Sequence, residues 1–168
     1  LFLAVHWIRA KKDREGTLQK ALLRGLRYTR QDLMARIPEL HTLPAKTVAV
    51  FGQGALGSDL DFELARSQIG TLRLADYDFA DPAASVRGAD GIPAAGIHKA
   101  GYQAAKLKSH FPLLNVEPVD LYIGQAPRGS SEPGQHERQI LARLLSAVDL
   151  VVDTTADENV NLALSRAV

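Results

Sequence analysis

The chain has 168 residues, 46% hydrophobic and 23% charged, with 20 Lys and Arg against 19 Asp and Glu for a formal charge of +1. That length supports one cored domain and is short for two, and so balanced a charge excludes a whole-molecule field that would draw the protein to nucleic acid or to an anionic membrane. Cysteine is absent, which excludes disulfides, thiolate metal sites and a cysteine nucleophile within these residues.

No apolar stretch approaches the roughly 20 residues needed to span a bilayer, and residues 1–8 lack the preceding basic region and cleavage site of a secretory leader. They read as a core-covering segment, and the chain as a cytoplasmic protein. Over 17–36, Leu18, Leu22, Leu26 and Leu33 recur at near-helical spacing among Lys and Arg, which predicts an amphipathic helix limited by Pro38. Residues 1–45 are accordingly expected to form an N-terminal helical extension and residues 46–168 the main domain. The main domain is read as strand 47–51, helix 55–68, strand 71–76, an irregular stretch 79–96, helix 98–109, strand 115–123, a loop, helix 136–147, strand 148–153 and a helix starting near Asp157. Alternating strands and helices predict an α/β fold, a Rossmann-like open and mainly parallel sheet with helices on both faces. The chain opens on Leu1 and stops inside what reads as a helix, so it is expected to be a fragment of something longer.

Two of the connections, 79–96 and 124–135, are long for a compact domain, and the first leaves the carboxyl end of a strand, where open sheets bind ligand. Gly52, Gly54 and Gly57 sit between a predicted strand and helix. In that position glycines allow a tight turn, close approach of backbone to a phosphate, and close helix packing. The helix start also offers unpaired N–H groups and partial positive charge. Asp76, nineteen residues after Gly57, ends the second strand where a ribose hydroxyl would be received. These residues suit NAD and ATP equally. Three further cations, Arg30, Arg87 and Lys99, point to ATP, because adenylyl transfer must neutralise three phosphates and a departing pyrophosphate.

Five motifs come in order: Arg27-Tyr-Thr-Arg-Gln31, Gly52-Gln-Gly-Ala-Leu-Gly57, Leu72-Arg-Leu-Ala-Asp-Tyr-Asp78 with Arg87, Gly96-Ile-His-Lys99, and Asp149-Leu-Val-Val-Asp-Thr-Thr155. From about residue 27 onward the chain thereby resembles the ThiF/MoeB adenylyltransferases, the superfamily that includes ubiquitin-activating enzymes. The resemblance implies that residues 46–168 are an adenylation domain that uses ATP and Mg²⁺ to activate the C-terminal carboxylate of a ubiquitin-like or sulfur-carrier protein, or of a peptide. It implies that Gly52, Gly54, Ala55, Gly57, Asp76 and Asp78 bind the nucleotide, with Asp76 on the ribose. Arg87 and Lys99 would grip phosphates and stabilise the transition state, and Arg30 would reach the nucleotide of the other subunit in a homodimer. Asp157 and Asp153 are the implied metal ligands. His98, beside Lys99, has no catalytic role to fill, since a carboxylate already ionised needs no general base.

The chain departs from the family pattern in several places. Ala84 replaces an asparagine, Gly88 a glutamine or histidine, and Ala55 the usual fourth residue of the glycine loop. Ala156 occupies the slot of the metal-binding aspartate, with Asp157 one residue later, where it equally suits the cap of the next helix. The cysteine to which many members pass the acyl group is absent. Two alternatives follow: a non-catalytic partner subunit, favoured by Ala84 and Ala156, and an NAD-dependent oxidoreductase, for which the glycines and Asp76 suffice.

Overall fold

The computed structural model describes residues 2–8, 17–23, 27–86, 90–123 and 135–167, and the chain divides into two units, Leu1–Ala35 and Arg36–Val168. In the first unit β1 (Phe2–Ile8) pairs antiparallel with β2 (Thr17–Leu23), from Phe2 opposite Leu23 to Ile8 opposite Thr17. The helix expected over 17–36 is therefore a strand followed later by one short helix, α1 (Arg30–Met34). Leucines four apart share a face in a strand as well as in a helix, so the spacing of Leu18 and Leu22 satisfies both. Thr29 starts α1. Its Oγ1 accepts from the Asp32 N–H at 3.2 Å, and Asp32 is held in turn by Arg27 at 2.9 Å.

The second unit is built on four parallel strands in the order β5-β4-β3-β6. They are β3 (Thr47–Phe51), β4 (Thr71–Ala75), β5 (Asn115–Val119) and β6 (Leu150–Asp153). Between and after them run α2 (Ala55–Arg66), α3 (Lys99–His110), α4 (Gln135–Leu145) and α5 (Glu158–Ala167). Strand alternation sends Val48, Val50, Leu72, Leu74 and Val116 to one face, where Ala65 of α2 and Ala100, Ala104 and Leu107 of α3 cover them. Ala49, Phe51 and Ala75 face the other way, under Leu144 of α4 and Val160 and Leu164 of α5. Both faces are thus covered by helices, as an all-parallel sheet requires.

β5 ends at Val119, short of the expected residue 123. Its neighbour β4 stops at Ala75, opposite Val119, so the β4–β5 ladder does not extend to residues 120–123, although Leu121 and Ile123 stay buried. Pro118 is tolerated in β5 because the strand lies at an edge of the sheet. β6 starts two residues later than expected. Asp149, just ahead of it, accepts from the Lys46 ammonium and the Thr47 N–H, each at 2.8 Å, and ties the starts of β3 and β6 together.

The irregular stretch after β4 holds two short 3-10 turns, Pro82–Val86 and Ile92–Ala94. Its neck is closed by backbone bonds from Ala80 to Ile97 (2.9 Å) and from Gly96 to Ala80 (2.8 Å). Asp90 fastens it to α3 through Lys106 at 2.8 Å. Among the described residues no helix is long and apolar enough to cross a membrane.

Candidate functional site

The carboxyl ends of the four strands open into one cleft. Gly52 and Gly54 line it, together with Asp76, Tyr77 and Asp78 after β4, Lys99 at the start of α3, Leu121, Tyr122 and Ile123 after β5, and Thr154, Thr155 and Asp157 after β6. Parallel strands carry their trailing loops to the same side of the sheet, which is why residues a hundred positions apart meet there.

The glycine loop is shaped by contacts that admit no side chain. Gly52 has φ +89°, a left-handed conformation, and a Cβ on it would lie 2.9 Å from the Thr155 nitrogen. A Cβ on Gly57 would collide with the Gly52 carbonyl oxygen and sit 2.7 Å from Thr154 Oγ1. Gly54 differs. It caps α2 with no side-chain bond, and a Cβ there would meet nothing within 4 Å, so the helix start is open to the cleft. Thr154 locks the loop from β6 by sharing its hydroxyl proton between the carbonyls of Phe51 (2.9 Å) and Gly52 (2.7 Å). Nothing in the local sequence around Thr154 announces this role. Its signal was present in the parallel order of β3 and β6, which sets a residue just past β6 beside one just past β3.

Asp76 is 9% exposed. One carboxylate oxygen accepts from the Gln53 N–H at 2.6 Å and the other from the Asp78 N–H at 2.8 Å, so the residue ties the glycine loop to the end of β4. Each oxygen retains a lone pair for a further donor. Lys99, which also lines the cleft, holds its ammonium 2.7 Å from Asp78 Oδ2 and its backbone N–H on the Asp78 carbonyl at 2.9 Å. The neighbouring Asp78 carboxylate holds the Tyr77 phenol above its ordinary pKa.

The two acids after β6 part company. Asp153 turns its Oδ1 to the N–H (2.9 Å) and hydroxyl (2.7 Å) of Thr155, and it is not among the residues lining the cleft. Asp157 lines the cleft and also caps α5, accepting from the Asn159 N–H at 2.8 Å. Between them Ala156 adopts φ 57°, a left-handed conformation rare for a residue with a side chain. That turn brings the acid one position later into the cleft while Ala156 itself stays outside its lining. Among the described residues no group of three His, Cys, Asp or Glu could hold a metal ion by itself.

Other sequence-predicted residues fall elsewhere. Ala55 opens α2 and does not line the cleft, and Ala84 belongs to the Pro82–Val86 turn. Arg30 opens α1 in the first unit, and Arg87 lies outside the described residues. His98 stacks on Phe79 with ring centroids 3.9 Å apart and lies 3.7 Å from Asp120.

The sequence profile of the ThiF family matches residues 28–168. The chain belongs to the ThiF family. This ThiF-family chain is 33% identical over 150 residues to the uncharacterised protein y4oA of Sinorhizobium fredii (strain NBRC 101917 / NGR234), covering 88% of the chain and 25% of y4oA. Protein y4qC of the same strain is 35% identical over 133 residues, covering 79% of the chain and 22% of y4qC. Among solved structures, E. coli tRNA N6-threonylcarbamoyladenosine dehydratase, TcdA, superposes with a TM-score of 0.65 at 20% identity over 80% of the chain and 52% of TcdA. TcdA in complex with ATP gives 0.61 at 21% identity, over 75% of the chain and 48% of that chain. PaaA gives 0.55 at 24% identity, over 67% of the chain and 34% of PaaA. These likenesses show the fold. The ThiF-family chain spans about a quarter of the length of its curated relatives and about half of TcdA.

Proposed function

We propose that this chain is the nucleotide-binding part of an adenylyltransferase that binds ATP with Mg²⁺ and activates the C-terminal carboxylate of a ubiquitin-like or sulfur-carrier protein, or of a peptide. The observation that carries this reading is the convergence of Gly54, Asp76, Lys99 and Asp157 on one cleft. A dinucleotide needs the glycines and one acid, whereas the lysine and second acid suit a triphosphate and its metal.

Phosphates would lie over the open start of α2 at Gly54, and the ribose against Asp76. Lys99 has three donors, so it can keep Asp78 and still bond a phosphate oxygen. Arg87 would add a second phosphate cation. Asp157 fits Mg²⁺, which at phosphate sites takes one or two carboxylates and completes its shell with phosphate oxygens and water. Asp153, which does not line the cleft, is the second choice. Bound Mg²⁺ supplies charge neutralisation on the phosphates. A carboxylate oxygen of the substrate attacks the α-phosphorus, the bond from that phosphorus to the bridging oxygen breaks, and pyrophosphate leaves with the electron pair. Lys99 and Arg87 stabilise the charge that develops on it. In a homodimer, Arg30 would come from the other subunit.

A chain of this family with Ala84 and Ala156 at ligand positions also fits a non-catalytic partner subunit, which would bind ATP without turning it over. ATP–pyrophosphate exchange with candidate carrier proteins separates the two. The expected result is carrier-dependent exchange that drops about 100-fold in Lys99→Ala or Arg87→Ala. ATP binding with no exchange favours the partner subunit, and neither binding nor exchange overturns both.

A further inference from the structure

Tyr77 and Tyr122 meet at the cleft in an edge-to-face pair, ring centroids 4.5 Å apart and planes at 85°. They come from different strand ends and both line the cleft. Their exposures are 49% and 40%, so neither ring serves the core. In an edge-to-face pair each ring keeps at least one face clear of the other. Tyr122 stands between Leu121 and Ile123, which are buried at 6% and 9% and fix the backbone on either side of it.

The strand order says what such rings meet. A nucleotide is a linear molecule of phosphate, ribose and base. Along the sheet the open start of α2 follows β3, Asp76 follows β4, and Tyr122 follows β5, the next strand outward. Adjacent strands lie about 4.8 Å apart, so the step from Asp76 to the end of β5 matches the step from a ribose to its base. The opposite direction leads to β6, with Thr154 and Asp157, which suits polar groups rather than a base.

We infer that Tyr122 is the stacking platform for the base of the bound nucleotide, with Tyr77 bracing it edge-on. The inference rests on the ATP reading above and adds a base-binding residue to it. A flat aromatic face binds a base through its π surface, and substitution by a non-aromatic residue typically weakens such a contact about 5- to 100-fold. Tyr77 joins that surface to the ribose and phosphate groups, because it lies in sequence between Asp76 and Asp78.

Calorimetric titration of the chain with ATP and, separately, with inorganic tripolyphosphate tests this. Tyr122→Leu should weaken ATP about 5- to 100-fold and leave tripolyphosphate unchanged, which also shows that the variant is folded with its phosphate cradle intact. Tyr122→Phe should restore the wild-type ATP affinity, and Tyr77→Leu should give a smaller loss than Tyr122→Leu. Wild-type affinity for ATP in Tyr122→Leu overturns the stacking role while leaving the ATP reading standing. A parallel loss of both ligands also overturns it, since it marks a structural role. A wild-type chain that binds tripolyphosphate as tightly as ATP, or binds neither, overturns the nucleotide reading itself and this inference with it.

Discussion

Asp61 on α2 is completely buried and accepts from the equally buried Gln103 of α3, whose amide donates to Asp61 at 3.4 Å and to the Ser58 carbonyl at 2.8 Å. Burial pushes the Asp61 carboxyl up to about 8 against the opposing hydrogen bond from Gln103, and the Asp90 charge nearby adds to the rise. A raised native value means that the folded chain binds the proton more tightly than the unfolded chain. Its stabilising effect is complete below the ordinary carboxylate range and is lost as pH climbs toward 8. Unfolding free energy should therefore fall with pH across that window, by at most about 1.4 kcal/mol per unit from this residue. Asp61→Asn keeps the volume and replaces the ionisable carboxyl with a neutral amide; denaturant titrations from pH 5 to 9 should show a flatter profile and a variant more stable than wild type at pH 9. An unchanged slope would show that Asp61 is ionised throughout. Residues of this kind were illegible in the sequence, where Asp61 looks like any helical acid. The tight turn at Gly52, the close approach at Gly57 and the place of Asp76 just past β4 were legible because each is local to one strand–turn–helix unit and its neighbour, whereas the contacts of Thr154 and the Asp78–Lys99 pair depend on which strands lie side by side.

The same division holds for whole elements. The strands and helices from Thr47 onward follow from periodicity and glycine punctuation, since each buries one face against the sheet. Over 17–36 the leucine spacing fits two periods, and only pairing with β1 decides between them. Arg73 shows how far an element can depend on a partner that its own segment does not reveal. It projects from β4 with 18% exposure, pairs with Glu117 on β5 at 3.1 Å, and donates to the carbonyls of Arg143 (3.2 Å), Leu144 (2.9 Å) and Ser146 (2.5 Å) at the end of α4. Carbonyls at a helix end have no partner within the helix, and a cation there also suits the helix dipole. Arg73→Met should cost about 2 to 3 kcal/mol of stability by chemical denaturation, with exchange protection lost first in α4. Arg73→Lys should recover part of it, because an ammonium reaches fewer of these carbonyls than a guanidinium fork does. Equal stability of wild type and Arg73→Met would place the end of α4 under other control.

For the assembled molecule, the proposed homodimer makes a sharp demand. If Arg30 serves the nucleotide of the other subunit, chains carrying Arg30→Ala and chains carrying Lys99→Ala each lose nearly all exchange activity alone. Mixed in equal amounts and allowed to exchange subunits, they form heterodimers in which one site regains both groups, and carrier-dependent pyrophosphate exchange should return to about a quarter of the wild-type level. No recovery on mixing would restrict Arg30 to its own chain. The charge of the molecule bears on a different property. With a net charge of only +1 there is little long-range field to gather anions, and Lys99 reaches the cleft already matched by Asp78 at 2.7 Å. An anion that settles on such a lysine meets a protein carboxylate in place of a cloud of mobile salt ions. Few counterions are then set free on binding, so the grip of Lys99 on a phosphate changes little with ionic strength, from dilute buffer to the salt of a cell.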